Sequence, residues 1–384
     1  MRLDLLPQPL YAATAGDMTP GTVFAGHVIE AVAGRGGMGV VYRARQVSLG
    51  RVVALKVIAP ALMEDDGVRR RFVRESRIAA SIDHPNVIPI YYTGAEDGVA
   101  YIAMRFVAGD DLRTLVRRSG PLDPARAARI VAQVASALDV AHAAGLVHRD
   151  VKPANVLLAQ GDHAYLTDFG LTKRVQSQAG DATRSGHWVG TLDFVAPEQI
   201  RGERVDARAD VYGLGCLLHY ALTGAPPFQR EGDESKLWAH LCESPPPPSG
   251  AVPDLPVTLD AVVARALAKA PADRYPSAGD LGRSALAVTK GTTVEERERT
   301  VAIGAAAPIE VETRSAIRPA LGPQPPNTPP LPARRPRRRA RLAIVAAAAL
   351  ASAWGLAPAS GGGDGAGGHP AAPARPAAAP APLA

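Results

Sequence analysis

Two short strings carry the side chains best suited to chemistry: His148-Arg149-Asp150-Val151-Lys152-Pro153-Ala154-Asn155 and, further on, Asp168-Phe169-Gly170. The oxygens of Asn155 and Asp168 are hard ligands of the kind Mg²⁺ takes when it bridges phosphates and keeps waters in its shell. Asp150 precedes Asn155 closely enough to orient a hydroxyl and accept its proton. Lys152 can neutralise charge that builds on a phosphoryl group in flight. The apolar runs Val156-Leu157-Leu158 and Ala164-Tyr165-Leu166 are separated by Gln160-Gly161-Asp162-His163. If the runs pair as a hairpin, Asn155 and Asp168 lie at the same end of it. The chemistry these residues suit is metal-assisted transfer of a phosphoryl group to a hydroxyl.

Nearer the N-terminus, Gly34-Arg35-Gly36-Gly37-Met38-Gly39-Val40-Val41 has the spacing G-x-G-x-x-G-x-V. Glycines let backbone N–H groups approach phosphate oxygens closely. A dinucleotide-binding turn shares the first six positions but should open a helix and be followed by an acidic residue about 20 positions on. Here the glycines run into Val40-Val41-Tyr42, a strand-forming string, and nothing acidic lies between Gly39 and Glu64. Val53-Ala54-Leu55-Lys56 reads as the next strand, with Ala54 and Lys56 on one face. The stripe Val68, Phe72, Glu75, Ala79, Ile82 predicts a helix whose apolar face contains Glu75. A carboxylate there needs a partner, and Lys56 is the expected one.

β-branched runs dominate the first part of the chain (Val40–Tyr42, Val52–Leu55, Val87–Tyr92) and helical periods the second. The clearest helix opens with Asp123 as N-cap and Pro124 at its first position. It repeats apolar residues at Ile130, Val131, Val134 and Leu138, and stops at Gly145. A second is expected from near Asp210, through Leu214, Leu217, Leu218 and Leu222, to Gly224. Strands first and helices later imply an α+β architecture of two unequal lobes rather than an alternating parallel sheet.

With these motifs in place, the chain resembles the bacterial, eukaryotic-like serine/threonine protein kinases over 23–288. The resemblance implies the two-lobed protein kinase fold, with a small β-rich N-lobe (23–107) and a larger, mainly α-helical C-lobe (108–288). It implies ATP with Mg²⁺, or Mn²⁺, as cofactors, and catalytic roles for Asp150, Lys152, Lys56 and Glu75. Asn155 and Asp168 become metal ligands. Nucleotide contacts are implied for Ala33, Gly34, Arg35, Gly36, Gly37, Met38, Gly39, Val40, Val41, Ala54, Lys56, Met104, Arg105, Val107 and Leu157. Met104 matches the residue guarding the back of the adenine pocket and Leu157 its floor. Ala196-Pro197-Glu198 closes the activation segment, with Glu198 paired to Arg274, and Asp210 anchors the catalytic loop. Lys152 implies serine/threonine specificity, and Leu171 favours serine as acceptor. Arg105 departs from the family, which usually has Glu there. Thr183 and Ser185 match positions where related kinases phosphorylate themselves, and Arg149 can pair with such a phosphate. Partners are then protein substrates and the chain itself, with a homodimer compatible but not required. A pseudokinase scaffold would normally lack Lys56, Asp150 or Asp168. A small-molecule phosphotransferase would lack the Ala196-Pro197-Glu198 segment.

The 384 residues are 47% hydrophobic and 21% charged, with a net charge of +6. Six of the positive charges sit together at Arg334, Arg335, Arg337, Arg338, Arg339 and Arg341, so the chain is not a uniformly basic nucleic-acid binder, and no nucleic acid is expected. Residues 1–22 are an N-terminal extension in which Asp4 and Pro7 interrupt any apolar run, so no secretory signal is expected. Residues 289–341, rich in Pro, Ala, Thr and charge, are expected to be a disordered linker. Residues 342–358 are expected to form a single transmembrane helix and 359–384 a low-complexity tail. The uncharged run from Leu342 to Leu356 spans only roughly 25 Å against a membrane core of about 30 Å. Trp354 and the preceding arginines nevertheless suit an anchored inner-membrane protein with its kinase domain cytoplasmic. The alternative is a cytoplasmic protein with a peripheral basic tail. Cys216 and Cys242 have no metal-ligand spacing and fit a reducing compartment.

Overall fold

A six-stranded antiparallel sheet, in the order β1-β2-β3-β4-β6-β5, forms the N-terminal lobe. The structure is a computed structural model that describes residues 18–169, 192–292 and 301–308, all within one unit spanning Met1–Thr313. The strands are β1 (Val23–Phe24), β2 (His27–Gly36), β3 (Gly39–Gln46), β4 (Val52–Ile58), β5 (Ile90–Glu96) and β6 (Val99–Arg105). The glycine string is the tip of the β2–β3 hairpin: Gly36 pairs with Gly39, and Gly34 with Val41. It leads into a strand, as the sequence predicts.

Alternation then sorts the side chains of the sheet. Val40, Tyr42, Val53, Leu55 and Val57 pack together with Phe24 and Ile29 on one face. Ala54 packs on the other with Met104 and Ile88, beside the partly buried Val41. At Gly39, φ is 135°, and a Cβ would lie 2.0 Å from the Val57 carbonyl oxygen. Gly39→Ala is therefore expected to destabilise the lobe by about 1–3 kcal/mol through backbone strain. Urea denaturation checks this, and a loss under 0.5 kcal/mol would count against the close approach.

Helix α1 (Asp66–Ser81) follows β4 and is capped by Asp65, whose carboxylate accepts the Val68 N–H. Its buried residues are Val68, Phe72, Ser76 and Ala79. The apolar face thus runs through Ser76, not Glu75, and Glu75 is turned to the edge of the helix.

The C-terminal lobe is helical: α2 (Leu112–Ser119), α3 (Pro124–Ala143), α4 (Pro197–Ile200), α5 (Ala207–Thr223), α6 (Asp233–Cys242), α7 (Thr258–Ala266) and α8 (Ala278–Thr289). Helix α3 starts as its sequence dictates, with the Asp123 carboxylate accepting the Arg126 N–H at 3.0 Å and Pro124 in the first turn. Ile130, Val131, Val134 and Leu138 are fully buried where α3 packs on α5 and α8, and Gly145 follows in the left-handed region at φ 76°. Helix α5 begins earlier than Asp210 because Asp206 is its cap, accepting the Arg208 N–H at 2.8 Å. That leaves Asp210 one turn inside the helix, 1% exposed and free to serve another element. The two cysteines are not joined.

Behind α5, the C-lobe core buries a polar cluster. The Tyr212 hydroxyl bonds His240 Nδ1 at 2.8 Å, and the Lys269 ammonium donates to the carbonyls of Ala239 and His240. Burial, and next the Lys269 charge, push the His240 imidazole down to about 3. Its folded value lies below its unfolded one, near 6.5, so the unfolded chain takes up the proton first. The stabilising effect of neutral His240 is therefore complete above about pH 6.5 and is lost as pH falls from there towards 3, at up to about 1.4 kcal/mol per pH unit. Urea midpoints at pH 7.5 and 5.5 should differ less for His240→Gln than for the parent. An equal difference would rule the group out.

Beyond α8, part of the stretch expected to be a disordered linker is ordered. Residues 301–308 include a short turn, Gly304–Ala306, whose Ala306 is fully buried. Among the described residues no helix is long and apolar enough to cross a membrane. The segment 342–358 lies outside the described residues, as do Thr183, Ser185 and Leu171.

Candidate active site

A two-stranded hairpin, β7 (Val156–Ala159) with β8 (His163–Leu166), carries the lower half of the site. Val156 pairs with Leu166, and the Thr167 N–H donates to the Asn155 carbonyl at 3.0 Å. Asn155 and Asp168 are thus brought to one end, as the two apolar runs imply. The hairpin is tied to the N-lobe side by Asn86, whose carbonyl accepts the Leu166 N–H, and by Ile88, whose N–H donates to Leu166.

The catalytic-loop backbone hangs from one buried carboxylate. Asp210 accepts the N–H groups of His148 and Arg149 and the His142 Nε2 donor, each at 2.7 Å. Burial alone would raise the Asp210 pKa. The His142 hydrogen bond and charge, with His148, outweigh it and hold the carboxyl below its ordinary value. His148 is likewise fully buried, which lowers its pKa. A neutral ring donating from Nε2 to the Thr167 carbonyl (2.9 Å) and accepting the Asp150 N–H at Nδ1 (3.2 Å) satisfies both contacts. One imidazole thereby links the strings that hold Asp150 and Asp168. Arg149 and Asp168 both have left-handed backbones, φ 62° and 61°. That conformation is costly for residues with a Cβ, and it persists only where surrounding bonds enforce it.

These elements face a cavity of about 640 Å³. Ala33, Gly34, Arg35, Gly36, Gly37, Met38, Gly39 and Val41 line its roof; Ala54, Lys56, Met104, Arg105, Val107 and Leu157 line its walls and floor; Asp150, Lys152, Asn155 and Asp168 also line it. Val40, also expected to touch nucleotide, does not line it. The strand alternation turns it into the opposite core, 6% exposed. The cavity adds residues that the motifs did not single out, among them Asp111, Arg113, Gly109 and Thr167. Asp111 had a legible signal, an N-cap before Leu112-Arg113-Thr114-Leu115, and its carboxylate accepts the Thr114 N–H at 2.7 Å. Gly109 had none. It is recognisable only in three dimensions, where a Cβ would lie 2.0 Å from the Leu158 oxygen.

The expected pairing of Lys56 with Glu75 is not the one present. Lys56 Nζ lies 2.8 Å from Asp168 Oδ1, and Glu75 Oε1 lies 3.6 Å from Arg149 Nη1. The physical reason is which row of α1 is buried. Ser76 occupies the buried row, Glu75 is left at its edge beside Arg149, and the buried ammonium takes the carboxylate on its own side of the cavity. Within the catalytic loop, Lys152 Nζ meets Asp150 Oδ2 at 2.8 Å. Asn155 Nδ2 donates to the Asp150 carbonyl at 2.8 Å, which fixes the amide and leaves its oxygen as the acceptor. Arg105 Nη1 bonds the Tyr165 hydroxyl at 2.8 Å, so the residue that departs from the family pattern ties β6 to β8. The Glu198–Arg274 pair forms as the resemblance implies, bidentate at 2.7 and 2.8 Å. Gln199 in α4 donates to the Arg149 carbonyl at 3.0 Å.

Residues 27–278 match the family described as "Protein kinase domain". The serine/threonine-protein kinase PknE of Mycobacterium bovis is 46% identical over 266 residues, which cover 69% of this chain and 46% of that protein. PknH of the same organism is 44% identical over 271 residues, covering 71% and 45%. PknD of Mycobacterium tuberculosis is 43% identical over 284 residues, covering 74% and 42%. The chain thus spans less than half the length of these curated relatives. Among solved structures, the M. tuberculosis PknI kinase domain superposes with a TM-score of 0.59 at 35% identity, covering 71% of this chain and all of that one. Rad53 in complex with AMP-PNP superposes with a TM-score of 0.57 at 26% identity, covering 68% and 65%.

Proposed function

The chain belongs to the bacterial, eukaryotic-like serine/threonine protein kinases, and we propose that it transfers the γ-phosphate of ATP to serine and threonine hydroxyls of proteins, itself included. The observation that carries this reading is the convergence of the glycine hairpin, Lys56, Asp150, Lys152, Asn155 and Asp168 on one cavity. In this reading Asp150 orients the acceptor hydroxyl and takes its proton, while Lys152, 2.8 Å from it, offsets charge on the phosphoryl group. Lys56 holds the α- and β-phosphates under the hairpin tip, and Met104, Ala54 and Leu157 enclose the base.

The donor set suits a divalent cation. Asp168 supplies a carboxylate and Asn155 an amide oxygen oriented by Asp150, hard ligands of the type Mg²⁺ takes and Mn²⁺ accepts. When bound, the ion would neutralise phosphate charge. The residues position it through the Thr167–Asn155 backbone bond.

Autoactivation at Thr183 or Ser185, with Arg149 receiving the phosphate, and anchorage through 342–358 with the kinase domain cytoplasmic, extend the proposal. Carbonate extraction of membranes separates an inserted helix from a peripheral arginine-rich tail, which washes off.

The central test is transfer of label from γ-labelled ATP to the chain and to a generic protein, followed by phosphoamino-acid analysis. Label on serine and threonine that vanishes in Lys56→Met is expected. Label retained in that variant, or none in the parent with Mg²⁺ or Mn²⁺, defeats the proposal.

A further inference from the structure

The kinase-domain match ends at residue 278, and α8 ends at Thr289, yet residues 301–308 return to the C-lobe. Two of their contacts bear on the catalytic loop. The Ile303 N–H donates to the His142 carbonyl at 3.1 Å, where α3 is ending. Three residues on, Ala306 closes a short turn and is fully buried with Val147 and Ala207, flanked by Val205 and Ala302.

Neither contact touches the reacting groups, but each is one step from what holds them. The imidazole of His142 bonds Asp210 Oδ2, and Asp210 holds the His148 and Arg149 N–H groups. Val147 is the residue immediately before His148, and Ala207 opens the helix that carries Asp210. The two contacts therefore bracket the 142–149 segment, one at its start and one at its end. The segment itself reads as poor binding material: Ile303 is 57% exposed, so its side chain contributes little. Its hold includes one backbone donor and one methyl group that fits where a larger or charged side chain would not, with Ala302 packed beside them.

We infer that residues 301–308 are a positioning strap for the catalytic loop: through Ile303 and Ala306 they hold 142–149 from behind, and so belong to the catalytic unit. This inference rests on the kinase reading for its effect on rate, but not for its effect on the loop. A displacement of the loop on the order of 1 Å is enough to cost a large factor in rate when the geometry of a base is at stake.

The test uses the full chain with Ala306→Asp, Ile303→Pro and, as a charge control on the exposed neighbour, Ala305→Asp. Ile303→Pro removes the N–H donor, at a position whose φ of −128° proline also pulls towards about −65°, and it decides the question if Ala306→Asp folds poorly. Hydrogen exchange of the peptide covering 142–150, and kcat with KM for ATP, are measured for each. Expected for Ala306→Asp and Ile303→Pro are exchange at least about tenfold faster in that peptide and kcat lower by about three- to tenfold. KM for ATP should stay within about twofold, because the nucleotide walls are built elsewhere. Ala305→Asp should match the parent. Exchange and kcat that match the control overturn the inference, even if thermal stability drops, since that would make the strap structural only. If the parent transfers no phosphate at all, the exchange result alone decides for or against the strap.

Discussion

Replacing Asp150 with Asn is expected to lower kcat by about 10²–10⁴-fold, the usual contribution of a positioned general base, while KM for ATP changes by less than about threefold. The split follows from where the side chain sits. Asp150 Oδ2 contacts Lys152 Nζ at 2.8 Å and the Asn155 amide at 3.2 Å, at the front of the cavity, whereas Ala54, Met104, Val107 and Leu157 enclose its apolar part. Asparagine keeps the shape and the hydrogen-bonding reach but removes the charge and the basic oxygen. Steady-state kinetics with a peptide acceptor measures both constants. A kcat within tenfold of the parent would remove Asp150 from the role of base, and an ATP KM raised tenfold would make it a binding residue.

The second large effect concerns stability. Arg274 is 2% and Glu198 3% exposed, and the guanidinium also donates to the carbonyls of Ala268, Arg208 and Lys269 while lying over the Tyr212 ring at 4.9 Å. Removing one member of such a pair strands a charge away from water, which costs about 3–5 kcal/mol. Arg274→Met should accordingly lower the unfolding free energy by that amount and the melting midpoint by about 10 °C, at roughly 2–4 °C per kcal/mol for a domain of this size. Adding Glu198→Leu should return part of the loss, because no lone carboxylate is left. Urea and thermal unfolding of the single and double variants check both statements. Full additivity of the two changes would show that the pair does not act as a unit.

How much of this was legible beforehand depended on whether the signal was local. The hairpin that joins Asn155 to Asp168 needs only two apolar runs and a turn between them, and it forms. The start of α3 is written in Asp123-Pro124, and its end in Gly145. The 4,3,4,3 spacing that puts Glu75 on the apolar face fits two neighbouring rows of a helix. Ser76, small and easily overlooked, supplies the buried row with Val68, Phe72 and Ala79. Rotation of a helix by one residue is decided by what packs against it, and sequence spacing does not contain that. Val40 failed for a related reason. Membership in a motif says nothing about which face of the strand a residue takes, although the alternation with Val41 did contain that answer. The resemblance makes Asp210 an anchor, which the three donors around it bear out, while the leucine period opens the helix near Asp210, three residues after its start at Ala207. Both Asp206 and Asp210 resemble caps, and only the three donors around Asp210 tell them apart.

The Lys56–Asp168 contact, 2.8 Å long, means that the carboxylate proposed as a metal ligand already holds a cation of the protein's own. In the proposed reading a metal arriving there would enter an exchange, not an open site. Its apparent affinity is the intrinsic one reduced by the fraction of molecules in which the pair is open. Anything that draws the Lys56 ammonium away, a polyphosphate above all, raises that fraction. By reciprocity the metal must then tighten the polyphosphate by the same factor. The two ligands would then be coupled through a single ion pair, with no need for the lobes to move.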